Sequence, residues 1–160
     1  MSKVAIIMGS KSDLEAVQSA IDVLKEFKID FEAKVLSAHR TPKELQSYVA
    51  DAQKDGVKVF IAAAGGAAAL AGVIASHTVM PVIGIPIETK SLGGMDSLLS
   101  TVQMPGGIPV ACMAIGGAGA KNAGLFAVEV LAVSDPVLQR KILEYRESMA
   151  AKVLEAKLKL

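Results

Sequence analysis

The 160-residue chain has a single cysteine, no tryptophan and almost no net charge, and these scarcities exclude whole classes of protein. Because Cys112 has no partner within the chain, a disulfide framework is excluded and a reducing compartment is favoured. Lys and Arg number 17 against 16 Asp and Glu, so the sequence offers no broad basic surface for a nucleic acid or an anionic membrane. We therefore expect a charged ligand to be bound by a few local residues.

Long apolar segments are also few. The N-terminal run Val4–Met8 is too short for the apolar region of a secretory signal. Residues 59–87 carry no formal charge and are long enough to span a bilayer, but glycines and prolines interrupt them and much of the remainder is alanine. A buried strand-helix-strand unit explains this stretch better, so we expect a cytoplasmic protein with no membrane partner.

Histidine is scarce, and the chemistry that needs several metal-binding side chains is therefore disfavoured. His39 and His77 stand far apart, and with one cysteine they form no recognisable pattern of metal ligands. No serine has histidine and aspartate partners arranged for a nucleophile elbow. The sequence thus predicts a site without metal or cofactor, in which one histidine carries a proton.

The fold is indicated by the alternation of apolar runs with helical patterns. Short apolar or β-branched runs occur at residues 4–8, 31–36, 57–63, 82–85 and 109–114, and most of the intervals between them have helical spacing. A composition of 52% hydrophobic and 4% aromatic residues with 14 glycines predicts close packing of small aliphatic side chains. We expect one α/β domain over residues 1–160: an open, doubly wound parallel sheet in flavodoxin-like order, forming a three-layer sandwich.

The C-terminal segment, residues 136–160, predicts a long amphipathic helix. Its apolar side chains near one face are Leu138, Ile142, Tyr145, Met149, Val153 and Leu160, with a Glu155 to Lys159 pair outside. A helix of this length on a small domain is expected to pack on a neighbouring subunit, so we predict a homo-oligomer.

The first loop, GSKSDLE at residues 9–15, combines a helix cap with an unexplained remainder. Ser12 to Glu15 matches the S-x-x-E capping box, and Asp13 complements the helix dipole. The capping box does not account for Gly9 and Ser10. A glycine at a strand end, followed by a hydroxyl and the free amides of a helix N-terminus, predicts a phosphate site, although the spacing fits neither dinucleotide nor P-loop motifs.

The second loop, LSAHRTPKEL at residues 36–45, indicates a ligand site more specifically than the first. Thr41 to Glu44 predicts another capping box, which leaves Ser37, His39 and Arg40 without a structural role at the edge where open α/β sheets bind ligands. The arginine fork suits phosphate and a histidine exchanges protons near neutral pH, so the pair predicts acid-base chemistry on a phosphorylated substrate. We expect His77, which lies away from these loops, to have no such role.

Three later glycine-rich segments are less specific. Residues 62–72 suit a close approach to a ligand and tight helix packing equally well. Gly93 and Gly94 predict a mobile loop that could close over a site. In GGAGAKNAG at residues 116–124 the lysine is misplaced for a P-loop, and Asn122 is expected to start the following helix.

Four ordered motifs resemble a known family. They are GSKSD at 9–13, SAHRTP at 37–42, GGAA at 65–68 and DSLLSTVQMPGGIPVA at 96–111. Together they resemble the class I 5-(carboxyamino)imidazole ribonucleotide mutases of purine (IMP) biosynthesis, from about Lys3 into the final helix. The resemblance implies a flavodoxin-like domain in a cytoplasmic homo-octamer, with the C-terminal helix reaching a neighbour. It also implies conversion of 5-(carboxyamino)imidazole ribonucleotide to 4-carboxy-5-aminoimidazole ribonucleotide by decarboxylation and recarboxylation, without metal or organic cofactor.

The resemblance also implies roles for individual residues. His39 matches the acid/base, Asp13 the position that binds the ribose hydroxyls, and Ser10, Ser12 and Arg40 the positions that hold the phosphate. The residues matching the pocket around base and carboxylate are Ser37, Ala38, Gly65, Gly66 and Leu70.

One departure from the family pattern keeps an alternative open. Ala69 and Ala71 stand where the class I pattern has histidine and proline. Class II relatives, which carboxylate aminoimidazole ribonucleotide directly with carbon dioxide, also lack that pair, but they usually have lysine after the catalytic histidine and Arg-Ser-Asn in the third loop. Because Arg40 and the GAA at 66–68 are retained here, the mutase is favoured over direct carboxylation. The other alternative is a non-catalytic flavin- or nucleotide-binding module on the same fold.

Overall fold

A computed structural model describes residues 3–157 and contains a five-stranded parallel sheet. The strands are β1 Val4–Met8, β2 Phe31–Val35, β3 Val59–Ala64, β4 Val82–Pro86 and β5 Ala111–Cys112. The helices are α1 Leu14–Glu26, α2 Pro42–Lys54, α3 Leu70–Ser76, α4 Met95–Val102, α5 Gly117–Ala132 and α6 Pro136–Leu154, and a short 3-10 turn, Lys11–Asp13, precedes α1. The predicted alternation of strands and helices is confirmed.

The strand order is β2-β1-β3-β4-β5, which confirms the flavodoxin-like arrangement. Met8 at the end of β1 pairs in register with Val35 on one side and Ala63 on the other. The chain therefore runs outward in both directions from β1. In such sheets the crevice between the loops that leave in opposite directions is the usual ligand site.

Two apolar layers cover the sheet because successive side chains of each strand point to opposite faces. On β1, Val4 and Ile6 pack towards α1 and α5, whereas Ala5 and Ile7 pack towards α2 and α3. The strands β1, β3 and β4 are buried on both faces, as their continuous apolar runs predict. The edge strand β2 differs, because Glu32 and Lys34 interrupt its apolar run and its last three residues, 33–35, are exposed.

The uncharged stretch of residues 59–87 is β3, α3 and β4 with their connections. Across residues 3–157, no helix is both long and apolar enough to cross a membrane.

The C-terminal helix departs from the expected pattern in length and in packing. It ends at Leu154, short of the expected Leu160, and residues 158–160, including Lys159 of the proposed pair, lie outside the described residues. Leu138 and Ile142 are buried against the chain's own core, and the Tyr145 ring lies 5.5 Å from that of Phe27. The face was expected to pack on another subunit, but part of it belongs to this subunit because α6 folds back onto α5.

Helix α5 approaches α1 closely because small residues line their contact. Its start is also earlier than predicted: Gly116 is the N-cap, so Asn122 lies inside the helix and does not start it. A Cβ added to Gly124 would lie 2.9 Å from the carbonyl oxygen of Ala20 and 3.0 Å from Cβ of Val23. The glycine therefore sets the distance between the two helices.

We expect Gly124→Ala to lower the free energy of unfolding by about 1–2 kcal/mol, because the new methyl meets backbone that cannot move aside, and this outweighs the better helix propensity of alanine. Gly117→Ala, in the same helix with nothing within 4 Å of the added Cβ, is the matched control and should lose no stability. Urea unfolding of both variants measures the difference. A Gly124→Ala variant as stable as the control would contradict the close contact.

Candidate active site

A cavity of about 360 Å3 opens at the carboxyl ends of β1, β2 and β3. Its lining residues come from the three loops that follow these strands: Gly9, Ser10, Asp13, Ser37, Ala38, His39, Arg40, Ala64, Gly65, Ala67, Ala69 and Leu70. It thus lies at the crevice where the strand order reverses. One side of the cavity is polar and the other is formed by alanines, a glycine and a leucine.

The first loop is held by a capping box that lies earlier than the sequence suggested. Ser10 is the N-cap of the 3-10 turn, and its Oγ accepts hydrogen bonds from the amide of Ser12 at 3.3 Å and the hydroxyl of Ser12 at 2.9 Å. The carboxylate of Asp13 accepts from the amide of Ser10 at 3.0 Å. The prediction of a Ser12 to Glu15 box was wrong because the 3-10 turn moves the first free amides towards Ser10.

The second loop is held by a threonine that does not cap its helix. Thr41 is the N-cap residue of α2 and Pro42 occupies the first turn, as predicted, but the predicted capping bond from Thr41 is absent. Instead the Thr41 Oγ1 accepts from the amide of Ser37 at 2.8 Å and donates to the carbonyl of Ser37 at 3.1 Å. These bonds close the turn that presents Ala38, His39 and Arg40 to the cavity.

Arg40 joins the first two loops. Its Nη2 donates to the carbonyl oxygen of Gly9 at 2.8 Å, and its Nε approaches the Ser37 Oγ at 3.4 Å. The amide of Arg40 also donates to the Ser37 Oγ at 3.2 Å. The guanidinium is thus held across the mouth of the cavity, with its remaining N–H groups available to a ligand because a guanidinium carries five.

The third loop supplies the apolar side of the cavity. Gly65, Ala67 and Ala69 line it between the end of β3 and the start of α3. Gly66 does not line it: its amide donates to the Ser97 Oγ at 2.9 Å, and its carbonyl accepts from the Ser100 Oγ at 3.2 Å. The glycine-rich loop at Gly93 and Gly94, predicted to cover the site, contributes no lining residue.

The structure brings together eight of the ten residues proposed for the site: Ser10, Asp13, Ser37, Ala38, His39, Arg40, Gly65 and Leu70 line the cavity. Ser12 and Gly66 do not line it: the Ser12 hydroxyl donates to Ser10, and the Gly66 amide donates to Ser97. Sequence reasoning singled out Gly9 only as the glycine of a phosphate-binding loop, and it assigned no ligand-binding role to the lining residues Ala64, Ala67 and Ala69. Small apolar side chains carry no chemical signal of their own, which is why they were missed.

The remaining chemically active residues stand elsewhere. His77 is exposed at the C-cap of α3 and does not line the cavity. Cys112 is half-buried, and burial raises the pKa of its thiol. Within residues 3–157, no three His, Cys, Asp or Glu side chains are grouped so that they could hold a metal ion.

Asp13 is the one carboxylate that lines the cavity, and its environment is electrostatically unfavourable. Burial raises the pKa of the carboxyl group above its ordinary value, although the hydrogen bond from the Ser10 amide and the nearby charge of Arg40 lower it in part. Burial of a carboxylate costs free energy at neutral pH. A residue retained at such a cost in a cleft is a candidate for ligand binding.

Fold and cavity together define an open α/β protein with a histidine and an arginine lining a cavity at the carboxyl edge of its parallel sheet. Residues 3–152 match the model of a family described as AIR carboxylase. The chain belongs to this family.

Curated relatives and a solved structure are similar over nearly the whole chain. An N5-carboxyaminoimidazole ribonucleotide mutase of Saccharolobus solfataricus is 53% identical over 158 residues, covering 99% of both chains. A protein of the same name from Bacillus subtilis is 54% identical over 153 residues, covering 96% of this chain and 94% of that one. The crystal structure of Treponema denticola PurE superposes with a TM-score of 0.87 at 30% identity, covering 95% of this chain and 94% of the other.

Because the pKa of Asp13 is raised in the folded chain, the folded state keeps this proton to a higher pH than the unfolded state does. The stability that the group contributes is therefore complete below the ordinary carboxyl range and is lost as pH rises through the raised pKa. We expect Asp13→Asn, which keeps an acceptor for the Ser10 amide, to be at least as stable as the wild type at pH 7.

Chemical denaturation between pH 4 and 7 tests this, with Asp51→Asn, at an exposed position on α2, as the control. Only Asp13→Asn should flatten the fall in stability with rising pH. A marked loss of stability in Asp13→Asn at pH 7 would contradict the unfavourable burial.

Proposed function

We propose that the cavity is the active site of a mutase that converts N5-carboxyaminoimidazole ribonucleotide to 4-carboxy-5-aminoimidazole ribonucleotide in purine biosynthesis. The enzyme class and its pathway follow from the curated relatives and the family match. The observation that carries the assignment of the site is the pairing of His39 and Arg40 on one turn that faces the Gly9 and Ser10 loop.

The polar side of the cavity suits the phosphate of the ribonucleotide. Arg40 is fixed by its bond to Gly9 and has further N–H groups for phosphate oxygens. The Ser10 hydroxyl accepts two bonds from Ser12 and can donate its own hydrogen to the ligand. Ser12 is expected from the family resemblance to hold the phosphate as well, and its hydroxyl donates to the Ser10 Oγ and so orients that side chain. The carboxylate of Asp13, next along the chain, is proposed to accept from the ribose hydroxyls.

The opposite side suits the imidazole ring and a carbon dioxide intermediate. Gly65, Ala67 and Leu70 on this side, together with Ala38 of the second loop, present little bulk and no charge, so a planar base can lie beside them without displacing polar groups. Holding carbon dioxide beside the ring carbon makes recapture an intramolecular step, for which proximity supplies much of the rate. These small side chains would hold the ring and the carbon dioxide in position and exclude water.

His39 is proposed to move the proton. When the carboxylate leaves the exocyclic nitrogen as carbon dioxide, the nitrogen gains a proton, and when the ring carbon captures that carbon dioxide it loses one. The two transfers balance, so a single group that first donates and then accepts returns to its starting state. No other histidine lies among the lining residues, and none is needed for this balance.

The presence of Ala69 in the cavity is the reason for a second candidate function, the direct carboxylation of aminoimidazole ribonucleotide. It lines the cavity where the class I pattern has histidine, and Ala71 is buried in α3.

One experiment distinguishes the mutase from the direct carboxylase. The protein is mixed with N5-carboxyaminoimidazole ribonucleotide without bicarbonate, and the ultraviolet absorbance of the ring-carboxylated product is followed. Rapid conversion supports the mutase. Product formed only from aminoimidazole ribonucleotide with bicarbonate would establish the carboxylase. Stabilisation by flavin mononucleotide with neither reaction would favour the binding module.

We expect a homo-octamer in the cytoplasm in which α6 contacts a neighbouring subunit. The exposed apolar side chains of this helix support the contact: Val137 is 68% exposed, Leu143 59%, Val153 76% and Leu154 85%. Leu143 and Leu154 are about three helical turns apart and so lie on one face, and an exposed apolar patch is typical of a surface that meets another protein. Light scattering of the purified protein measures the number of subunits.

Replacement of the proposed proton carrier should abolish turnover without unfolding the chain. We expect His39→Asn to lower kcat by roughly 100-fold or more, because general acid-base catalysis contributes a factor of that order, with a small change in KM. His77→Asn, also at an exposed histidine, is the control and should leave both constants unchanged. A His39→Asn enzyme that keeps most of its activity would contradict the mechanism.

Loss of the arginine fork should weaken binding more than chemistry. We expect Arg40→Lys to raise KM roughly tenfold, because a lysine cannot bind Gly9 and the phosphate in the same geometry, while kcat changes less. Inorganic phosphate should also become a weaker competitive inhibitor. Arg140→Lys, at an exposed position on α6, is the control. An unchanged KM and phosphate inhibition would show that Arg40 does not contact the phosphate.

A further inference from the structure

Helix α4 contributes nothing to the lining of the cavity, yet it holds the two fully or almost fully buried polar side chains of the described chain. Ser97 is 0% exposed and Thr101 is 3% exposed. A buried hydroxyl without a hydrogen-bond partner costs stability, so the partners show what each residue does. Thr101 donates to the carbonyl of Ser97 within its own helix at 2.8 Å.

Ser97 differs because it joins two other parts of the chain. Its hydroxyl donates to the carbonyl of Ile87, just after β4, at 2.6 Å, and accepts from the amide of Gly66 at 2.9 Å. Both functions of one hydroxyl are used, and it cannot rotate without breaking one of these bonds. Ser97 therefore fixes the orientation of the Gly66 amide relative to the end of β4.

The segment held in this way forms a wall of the cavity. Gly66 has a φ of +70°, a conformation that other residues rarely adopt, and a Cβ added to it would meet nothing within 4 Å. Backbone conformation rather than space thus demands the glycine. Its carbonyl accepts from the amide of Ala68 at 2.8 Å and from the Ser100 hydroxyl at 3.2 Å. The neighbours on either side, Gly65 and Ala67, both line the cavity.

We propose that Ser97 is a positioning residue for the active site: through the Gly66 amide it sets the distance of the wall formed by residues 65–70 from His39 on the opposite loop. Neither its contacts nor its burial place it against a ligand. Its effect on catalysis rests on the proposed function, since it is exerted through the fit of the ring and the carboxylate between this wall and His39. Its effect on the conformation of residues 65–70 does not depend on the proposed function.

Ser97→Ala and Thr101→Val form a matched pair, since each deletes one buried hydroxyl from α4 and only the first deletes a bond to the cavity wall. We expect Ser97→Ala to lower kcat tenfold or more, because a displacement of about 1 Å at a reacting centre costs up to a hundredfold. KM should change less than about threefold, since the phosphate contacts of the other loops remain. Thr101→Val should keep both constants near the wild-type values.

Hydrogen-deuterium exchange of peptides covering residues 65–69, in the enzyme without substrate, gives a readout independent of the reaction. These amides should exchange faster in Ser97→Ala than in the wild type and at the wild-type rate in Thr101→Val. If the wild type does not convert the substrate, the proposed function fails while the exchange data still decide the role of Ser97.

Two outcomes would overturn the inference: unchanged exchange and kcat in Ser97→Ala, or an equal loss in Thr101→Val, which would indicate general weakening of α4. Where Ser97→Ala does not fold, Ser97→Cys keeps a weak donor and acceptor in place. It should show the same change in exchange to a smaller extent, and wild-type exchange and kcat in this variant would equally overturn the inference.

Discussion

The parallel pairing of β1 with a strand on each side is the constraint on which the site depends. The ladder continues past the strands: the Leu36 amide donates to the Met8 carbonyl at 3.0 Å, and the Gly9 amide donates to the Ala63 carbonyl at 3.1 Å. Three loops from distant parts of the sequence therefore begin within one hydrogen-bonded row. Side chains placed one to six residues after each strand therefore meet in the same crevice.

Within that frame the loops are shaped mainly by hydroxyl groups that bind their backbone. Ser10, Thr41 and Ser97 each satisfy backbone groups of a loop that lines the cavity. Arg40 adds a side-chain bond that crosses from the second loop to the first. The loops that carry the cavity-lining side chains are thus held by hydrogen bonds before any ligand is present. This lowers the entropic cost of ordering the site when a substrate binds.

Residue patterns predicted the parts of this structure that depend on one local feature. The buried strands β1, β3 and β4 follow from continuous apolar runs, and the His39 and Arg40 loop follows from its position after a strand. The exact caps could not be predicted, because Ser10 and Ser12 are equally good cap residues and only the 3-10 turn selects between them. The role of Ser97 depends on a partner 31 residues away, Gly66, and on its burial, neither of which leaves a periodic signal.

The division of the cavity into a polar and an apolar side has a consequence for catalysis. Contacts with the phosphate and the ribose are the same in substrate, intermediate and product, so they bind every state equally and lower KM without raising kcat. Rate acceleration must come from groups whose interaction changes as the carboxylate moves, and in the proposed mechanism these are His39 and the wall formed by residues 65–70. Precise placement is therefore as valuable on the apolar side of the cavity as it is at His39. That is the side that Ser97 holds from outside, through a glycine whose backbone alone can take the required shape.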